Sequence, residues 1–307
     1  MSLRVVFLGT AGSIPTPRRN LPAVAVQRKG ELILFDCGEG VQRQMIRAKV
    51  GFHRKTKVFI THMHGDHVFG LPGLIQTMGL LDRNRKLEVY GPPGTKAFVE
   101  AIKQTVQFAA IFPIEIFEIR DAGMVCEEKE YEVHAVQSDH VIPGLAYAFE
   151  EKPRSGRFYP EKARALGVPE GPLWSKLQHG SAVKLQNKRT VKPEEVTGPP
   201  RPGRKIVYTG DTRASEDIRR LAENADLLIH DSTFDDEMQE RAQEDGHSTP
   251  SEAATTAKKA KAKTLVLTHI SARYDDPTIL LEQAKKTFSN VCVAEDFMEI
   301  NIPLIEH

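Results

Sequence analysis

Residues 61–67 read Thr61-His62-Met63-His64-Gly65-Asp66-His67, three imidazoles and a carboxylate within six positions. A lone histidine is commonly a hydrogen-bonded structural residue. Four ligand-type side chains in this spacing point instead to a metal centre. His62 and His64 alternate and can face one point, while Asp66 and His67 lie beyond Gly65 and can face a second. That geometry implies two metal ions. Histidine and aspartate donors suit zinc better than manganese or iron. Six histidine and carboxylate ligands around two metals would leave positions open for water, as hydrolytic sites do.

The elements around this stretch must aim it. Val58-Phe59-Ile60 reads as a buried strand, and Val68–Ile75 as the start of a helix. The ligands therefore sit on a strand-to-helix turn, where open parallel sheets place their sites. Further acid or imidazole groups end apolar strands elsewhere: His140, Asp211, His230 and His269. Leu32–Phe35 also ends in a glycine-rich carboxylate turn, Asp36-Cys37-Gly38-Glu39-Gly40, which leads into a basic amphipathic helix near Val41–Lys49. Ile114–Ile119, Tyr131–Gln137 and Leu145–Phe149 read as antiparallel strands. Beyond Lys205, strand and helix signals alternate. Two sheets packed face to face with helices outside fit this order.

Bulk properties exclude several classes. With 307 residues and a net charge of +1, the chain is not globally basic, so any nucleic-acid binding must come from a local patch. Three scattered cysteines cannot form a disulfide framework. No run approaches the ~20 apolar residues of a membrane span, and the N-terminal apolar run is too short for a signal peptide. The expectation is a cytoplasmic protein. The local patch is visible between Glu150 and Lys205, where 13 Lys/Arg stand against 6 Glu and eight of the 19 prolines fall. Hydrophobic periodicity fails there, so the segment reads as a long irregular arm with one ordered tip around Trp174.

The turn at 62–67, followed by Asp139-His140, Gly210-Asp211-Thr212 and Thr268-His269, resembles the metallo-β-lactamase superfamily. The resemblance covers nearly the whole chain. It implies an α/β fold, a four-layer αβ/βα sandwich, as a single domain over 1–307 with a flexible arm inserted at about 150–203. It further implies two zinc ions per chain: His62, His64 and His140 hold one, Asp66, His67 and His269 hold the other, and Asp211 bridges them. Asp36 would orient the histidine turn from behind.

Narrower features resemble the ribonuclease Z family, which trims precursor tRNA at its 3′ end. They are the opening Phe7–Pro15, the loop Pro15–Asn20, His230-Asp231-Ser232-Thr233, Gly246-His247-Ser248-Thr249, and Gly171-Pro172 in the arm. Pro17 stands where that family has lysine, and Asp231 where it has glutamate. The resemblance implies catalytic roles for Asp66, His247 and Asp231. It implies contacts to RNA from Arg18, Arg19 and Asn20 and from Gly171, Pro172 and Lys176 of the arm. It also implies a homodimer that acts on precursor tRNA and uses no membrane. Two other readings stand beside it: a small-molecule metallohydrolase, and a metal-bound RNA-binding protein that has lost its chemistry.

Overall fold

The computed structural model describes residues 3–106 and 112–304. Long apolar runs such as Val5–Leu8 and Leu32–Phe35 are buried on both faces, which requires a layer on each side of a sheet. Two seven-stranded sheets meet that need. The first runs, edge to edge, through Glu299–Ile302, Leu3–Gly9, Ala23–Arg28, Glu31–Phe35, Lys55–Phe59, Leu87–Gly91 and Ile114–Glu118. The second runs through Val291–Val293, Leu265–Thr268, Leu227–Asp231, Lys205–Tyr208, Gly144–Glu151, Tyr131–Ser138 and Gly123–Glu127.

Strand alternation sorts the side chains into three cores. Val5, Phe7, Phe35 and Phe59 of the first sheet pack with Tyr147, Tyr208, Ile229 and Val266 of the second, so the sheets lie face to face. Val6, Leu8, Leu34 and Val58 turn the other way onto Val41, Met45, Leu74 and Met78 of the helices Val41–Arg47 and Gly70–Leu80. Val207, Leu228 and Leu267 turn outward onto Ala253, Ala257, Leu280 and Ala284 of the helices Pro250–Lys259 and Thr278–Lys285. The result is helix, sheet, sheet, helix.

Both sheets are mixed. Ile114–Glu118 pairs in parallel with Leu87–Gly91, contrary to the antiparallel reading. The helix Thr95–Thr105 between them supplies the crossover that a parallel pair requires.

The basic segment is folded rather than irregular. Glu151–Arg204 forms a compact unit distinct from residues 3–150 and 205–303, shifting the expected boundaries by one residue at each end. It holds short helices at Pro160–Ala165, Pro172–Gln178 and Pro193–Val196 and a strand pair, Val183–Lys184 with Thr190–Val191. Ala163, Val168, Leu177, Val183, Val191 and Val196 make its own small core. Each helix opens with proline, whose missing N–H costs nothing at that position. Prolines that read as breaks in the sequence are helix starts. The chain leaves the larger unit at Glu150 and returns at Lys205, residues paired on adjacent antiparallel strands.

Candidate metal centre

The site residues sit where strands of the two sheets end. Asp36 follows Glu31–Phe35, and His62 and His64 follow Lys55–Phe59. Asp66 and His67 lie on a single helical turn, Gly65–Val68. His140 follows Tyr131–Ser138, Asp211 follows Lys205–Tyr208, and His269 follows Leu265–Thr268. Two of these residues leave their strands through the left-handed region, Asp36 at φ 56° and His269 at φ 61°. Asp and His are among the residues that tolerate it. Gly210 also has positive φ, and a Cβ there would lie 2.7 Å from the side chain of Thr61. Only glycine lets the Asp211 loop come so close to the histidine turn. Beneath the site the rings of Phe35, Phe59, Tyr147 and Tyr208 pack at centroid distances of 5.3–6.1 Å. Truncating Phe35 to alanine removes the middle of this floor, at a cost of about 3–5 kcal/mol.

Seven of the expected residues converge. One cluster holds His62, His64, His140 and Asp211; a second holds Asp66, His67 and His269. In the first, His62 Nε2 lies 3.0 Å from His64 Nδ1 and 3.6 Å from Asp211 Oδ2, and His140 Nε2 lies 3.3 Å from His64 Nδ1. In the second, His67 Nε2 is 3.5 Å from Asp66 Oδ2 and 3.4 Å from Asp211 Oδ1. His269 Nε2 is 3.5 Å from Asp66 Oδ2 and 3.2 Å from Asp211 Oδ2. Ligands about 2.0–2.1 Å from a tetrahedral zinc stand about 3.3 Å apart. Both cages have that edge length, and Asp211 belongs to both.

Hydrogen bonds behind the rings fix which nitrogen is presented. The Thr61 hydroxyl donates to Asp36 and accepts from His62 Nδ1 at 3.0 Å. His67 Nδ1 donates to Asp36 Oδ2 at 2.7 Å, and the Tyr208 hydroxyl donates to the same oxygen at 2.9 Å. His140 Nδ1 donates to the Gly246 carbonyl at 2.8 Å. His269 Nδ1 donates to Thr233 Oγ1 at 2.7 Å, while the Thr233 hydroxyl donates to Asp231. Four rings therefore turn an Nε2 lone pair toward the cluster. His67 Nε2, His269 Nε2 and Asp211 Oδ1 are buried with no hydrogen-bond partner. Such orphaned atoms are costly unless something binds them, and a divalent cation suits all three.

The electrostatics agree. Burial holds His62, His64 and His140 below the ordinary histidine range, so they keep their lone pairs. Burial opposes ionisation of Asp66 and Asp211, but the imidazoles around them hold both far below the usual carboxylate range. His67 is driven the other way. Burial lowers it, and Asp211, Asp36 and Asp66 together raise it well above its ordinary value. Buried carboxylates that have neutral His62, His64 and His140 as neighbours and draw a proton onto His67 make a pocket that demands positive charge.

His247 lies beside this centre. Its Nδ1 donates to Asp231 Oδ2 at 2.9 Å, and its ring stacks on His269 at 5.1 Å. One of its nitrogens lies within 4.8 Å of the ligand atoms of Asp211 and His269, but each cage has four ligands without it. Burial lowers its pKa, and the Asp231 carboxylate, with smaller contributions from Asp211 and Asp245, more than offsets this, raising it to about 9. Asp231 is fully buried and also accepts from the backbone N–H groups of Thr212 and Ser248. His230, which precedes Asp231 on the same strand, is in neither cluster. It is buried, and its Nδ1 donates to the Asp231 carbonyl. Alternation along the strand turns it away from the side to which Asp231 points.

The expected RNA contacts divide. Arg18 is 72% exposed and pairs with Asp275. Arg19 is tied inward, donating to Thr10 Oγ1 and the Ala294 carbonyl, and Asn20 is tied to Asp296 and the Glu39 carbonyl. In the smaller unit Gly171, Pro172 and Lys176 are exposed. Sequence reasoning missed the supporting groups Thr61, Thr233 and Tyr208. It also missed Arg213, which holds Asp139 at 2.9 Å and the Gln243 carbonyl at 2.6 Å and so fastens the loops carrying His140 and His247. A threonine directly before His62 was the one available signal.

Known proteins resemble the chain along its length. A profile described as "Beta-lactamase superfamily domain" matches residues 176–270, and one described as "Anti-Pycsar protein Apyc1" matches residues 3–147. Ribonuclease Z of Methanosarcina acetivorans is 53% identical over 302 residues, 98% of either chain. Ribonuclease Z of Methanosarcina mazei is 50% identical over the same length. The crystal structure of human tRNase Z, short form, superposes with a TM-score of 0.74 at 32% identity, covering 98% of this chain and all of that one. With this identity over nearly its whole length, the chain belongs to the ribonuclease Z family of the metallo-β-lactamase superfamily.

Proposed function

We infer that this protein is a zinc-dependent endoribonuclease that hydrolyses one phosphodiester at the 3′ end of precursor tRNA, removing the trailer and leaving a 3′-hydroxyl on the tRNA. The observation that carries the chemistry is the pair of cages sharing buried Asp211, each with the edge lengths of a zinc tetrahedron. Two zinc ions held there would supply an acidified water and offset the charge on the phosphate oxygens. His62, His64 and His140 would hold one, and Asp66, His67 and His269 the other, with Asp211 between them. Asp36 orients His67 directly and His62 through Thr61. His247, held by Asp231, is positioned to donate a proton to the departing 3′ oxygen.

The substrate follows from family membership and from charge. The unit Glu151–Arg204 carries 12 Lys/Arg against 5 Glu on a chain otherwise near neutrality. Such a patch binds phosphates without reading bases, which suits the shape-based recognition of folded RNA. Gly171, Pro172 and Lys176 would meet RNA there, and Arg18 near the centre, with Arg19 and Asn20 bracing its loop. A homodimer is part of this reading. Ile46 and Leu80 on neighbouring helices, and Phe69 just before the second of them, are 60–77% exposed, apolar side chains that a second copy would cover. The work is placed in the cytoplasm. Among the described residues no helix is long and apolar enough to cross a membrane.

The test compares a trailer-bearing precursor tRNA with an unstructured RNA of equal length and a small chromogenic phosphodiester. Preference for the precursor supports the inference. Turnover of the small diester alone would favour a small-molecule hydrolase, and RNA binding without cleavage would favour the binding protein.

A further inference from the structure

A cleft of about 370 Å³ opens beside His247, lined among others by Ile14, Val141, Phe234, Arg241 and Arg273. That volume lies in the range of small-molecule sites. Its walls carry little net charge. Arg241 pairs with Asp245, and the Arg273 guanidinium lies over the Phe234 ring at 5.1 Å. Ile14 and Val141 are 63% and 53% exposed, although both line the cleft. Scattered apolar side chains on a surface are ordinary. Two in one cleft beside a polar site suit a ligand with a flat apolar face and polar edges.

Both side chains are indexed to the metal centre. Ser13, next to Ile14, donates its backbone N–H to Asp66 Oδ2 at 3.0 Å. Ser13 is held at φ 57°, and Ile14 N–H closes a tight turn onto the Gly12 carbonyl at 2.6 Å. Val141 directly follows His140. A group lying against both is thus placed relative to both cages.

We propose that this cleft seats the base of the last nucleotide retained on the RNA, packed against Ile14 and Val141. The proposal rests on the function inferred above. In that reaction the water oxygen bonds to phosphorus and the bond from phosphorus to the 3′ oxygen breaks. One proton ends on that oxygen as the new hydroxyl, and the phosphate leaves with the trailer. The departing oxygen faces His247, and its ribose carries its own base one sugar ring away. The cleft beside His247 lies within that reach.

The experiment is a cycle of protein variant against abasic substrate. The zinc-loaded full chain and its Ile14→Ala/Val141→Ala variant are each assayed on intact precursor tRNA and on precursors lacking the base at the last retained nucleotide or at the first trailer nucleotide. Removing the last retained base should lower kcat/KM of the wild type about tenfold, as loss of a modest apolar contact does. The double variant should lose a similar factor on intact RNA and nothing further on that abasic RNA, because the two changes delete one contact. Its losses should multiply with removal of the trailer base. Multiplying losses at the last retained base would overturn the proposal, and so would coupling to the trailer base instead. Should the double variant fail to hold zinc, Val141→Thr gives the same cycle at nearly constant volume. A wild type that leaves intact precursor uncut would refute the function itself, a result distinct from either of these.

Discussion

Replacing Asp231 with asparagine should move the alkaline limit of the reaction. Asp231 hydrogen-bonds to His247 Nδ1 and is the largest influence raising a ring that burial alone would depress. The imidazole sits at about 9 against an ordinary 6.5, a difference worth about 3 kcal/mol between its two protonation states. The sign follows from the role. A proton donor works below its pKa, so kcat falls as pH rises through that value. In wild type about 90% of the rings are protonated at pH 8, and with the pKa returned to its ordinary value about 3% are. Asp231→Asn should therefore move the alkaline limb to lower pH, costing on the order of 30-fold in kcat at pH 8 and much less at pH 6. The assay is kcat on saturating precursor tRNA from pH 5.5 to 9.5, with zinc content measured on each preparation. A limb that stays in place, or a loss equal at every pH, would refute the pairing as the source of the proton.

Asp211→Ala should leave less than one zinc per chain by metal analysis, because it opens both cages, whereas His62→Ala should retain about one; two tight zincs in Asp211→Ala would remove the bridge. Asp36→Asn should weaken zinc binding about 10- to 100-fold in chelator competition, since one amide oxygen replaces the two that accept from Thr61, His67 and Tyr208. His247→Ala should keep its zinc and its RNA affinity while kcat falls about 100-fold. Excision of Glu151–Arg204, joining the paired residues Glu150 and Lys205 through an Asn-Gly turn, should leave a zinc-binding protein that still turns over a small diester. Its KM for precursor tRNA should rise and its salt dependence flatten, and equal loss on both substrates would make that unit structural.

The layered fold and the metal centre are legible for the same reason. A strand buried on both faces is a continuous apolar run, and the first ionisable residue after it marks the sheet edge. Asp36, His62, Asp211 and His269 can each be found that way. His230 shows the limit of the rule, because the side a strand-end residue faces depends on register, which one sequence does not display. Asp231, its neighbour, faces the site instead. The supporting hydroxyls of Thr61, Thr233 and Tyr208 stay hidden because their partners are remote in sequence; Tyr208 reaches Asp36 across 172 positions. The order within the basic segment is hidden by its prolines, which punctuate helices as readily as they break them. Arg18 and Arg19 are adjacent and alike in sequence, yet one is exposed and the other is half-buried and turned inward onto a carbonyl. Only tertiary packing distinguishes them.

End-labelled precursor tRNA incubated with the zinc-loaded chain, with the cut mapped to the nucleotide and the new ends identified, tests the inferred reaction. One cut should appear at the 3′ end of the mature sequence, with a 3′-hydroxyl on the tRNA and a phosphate on the trailer. It should vanish with chelator, return with zinc, and be absent in Asp211→Ala. Cutting that persists in Asp211→Ala, or that leaves the phosphate on the tRNA, would contradict the assignment of this centre to that reaction.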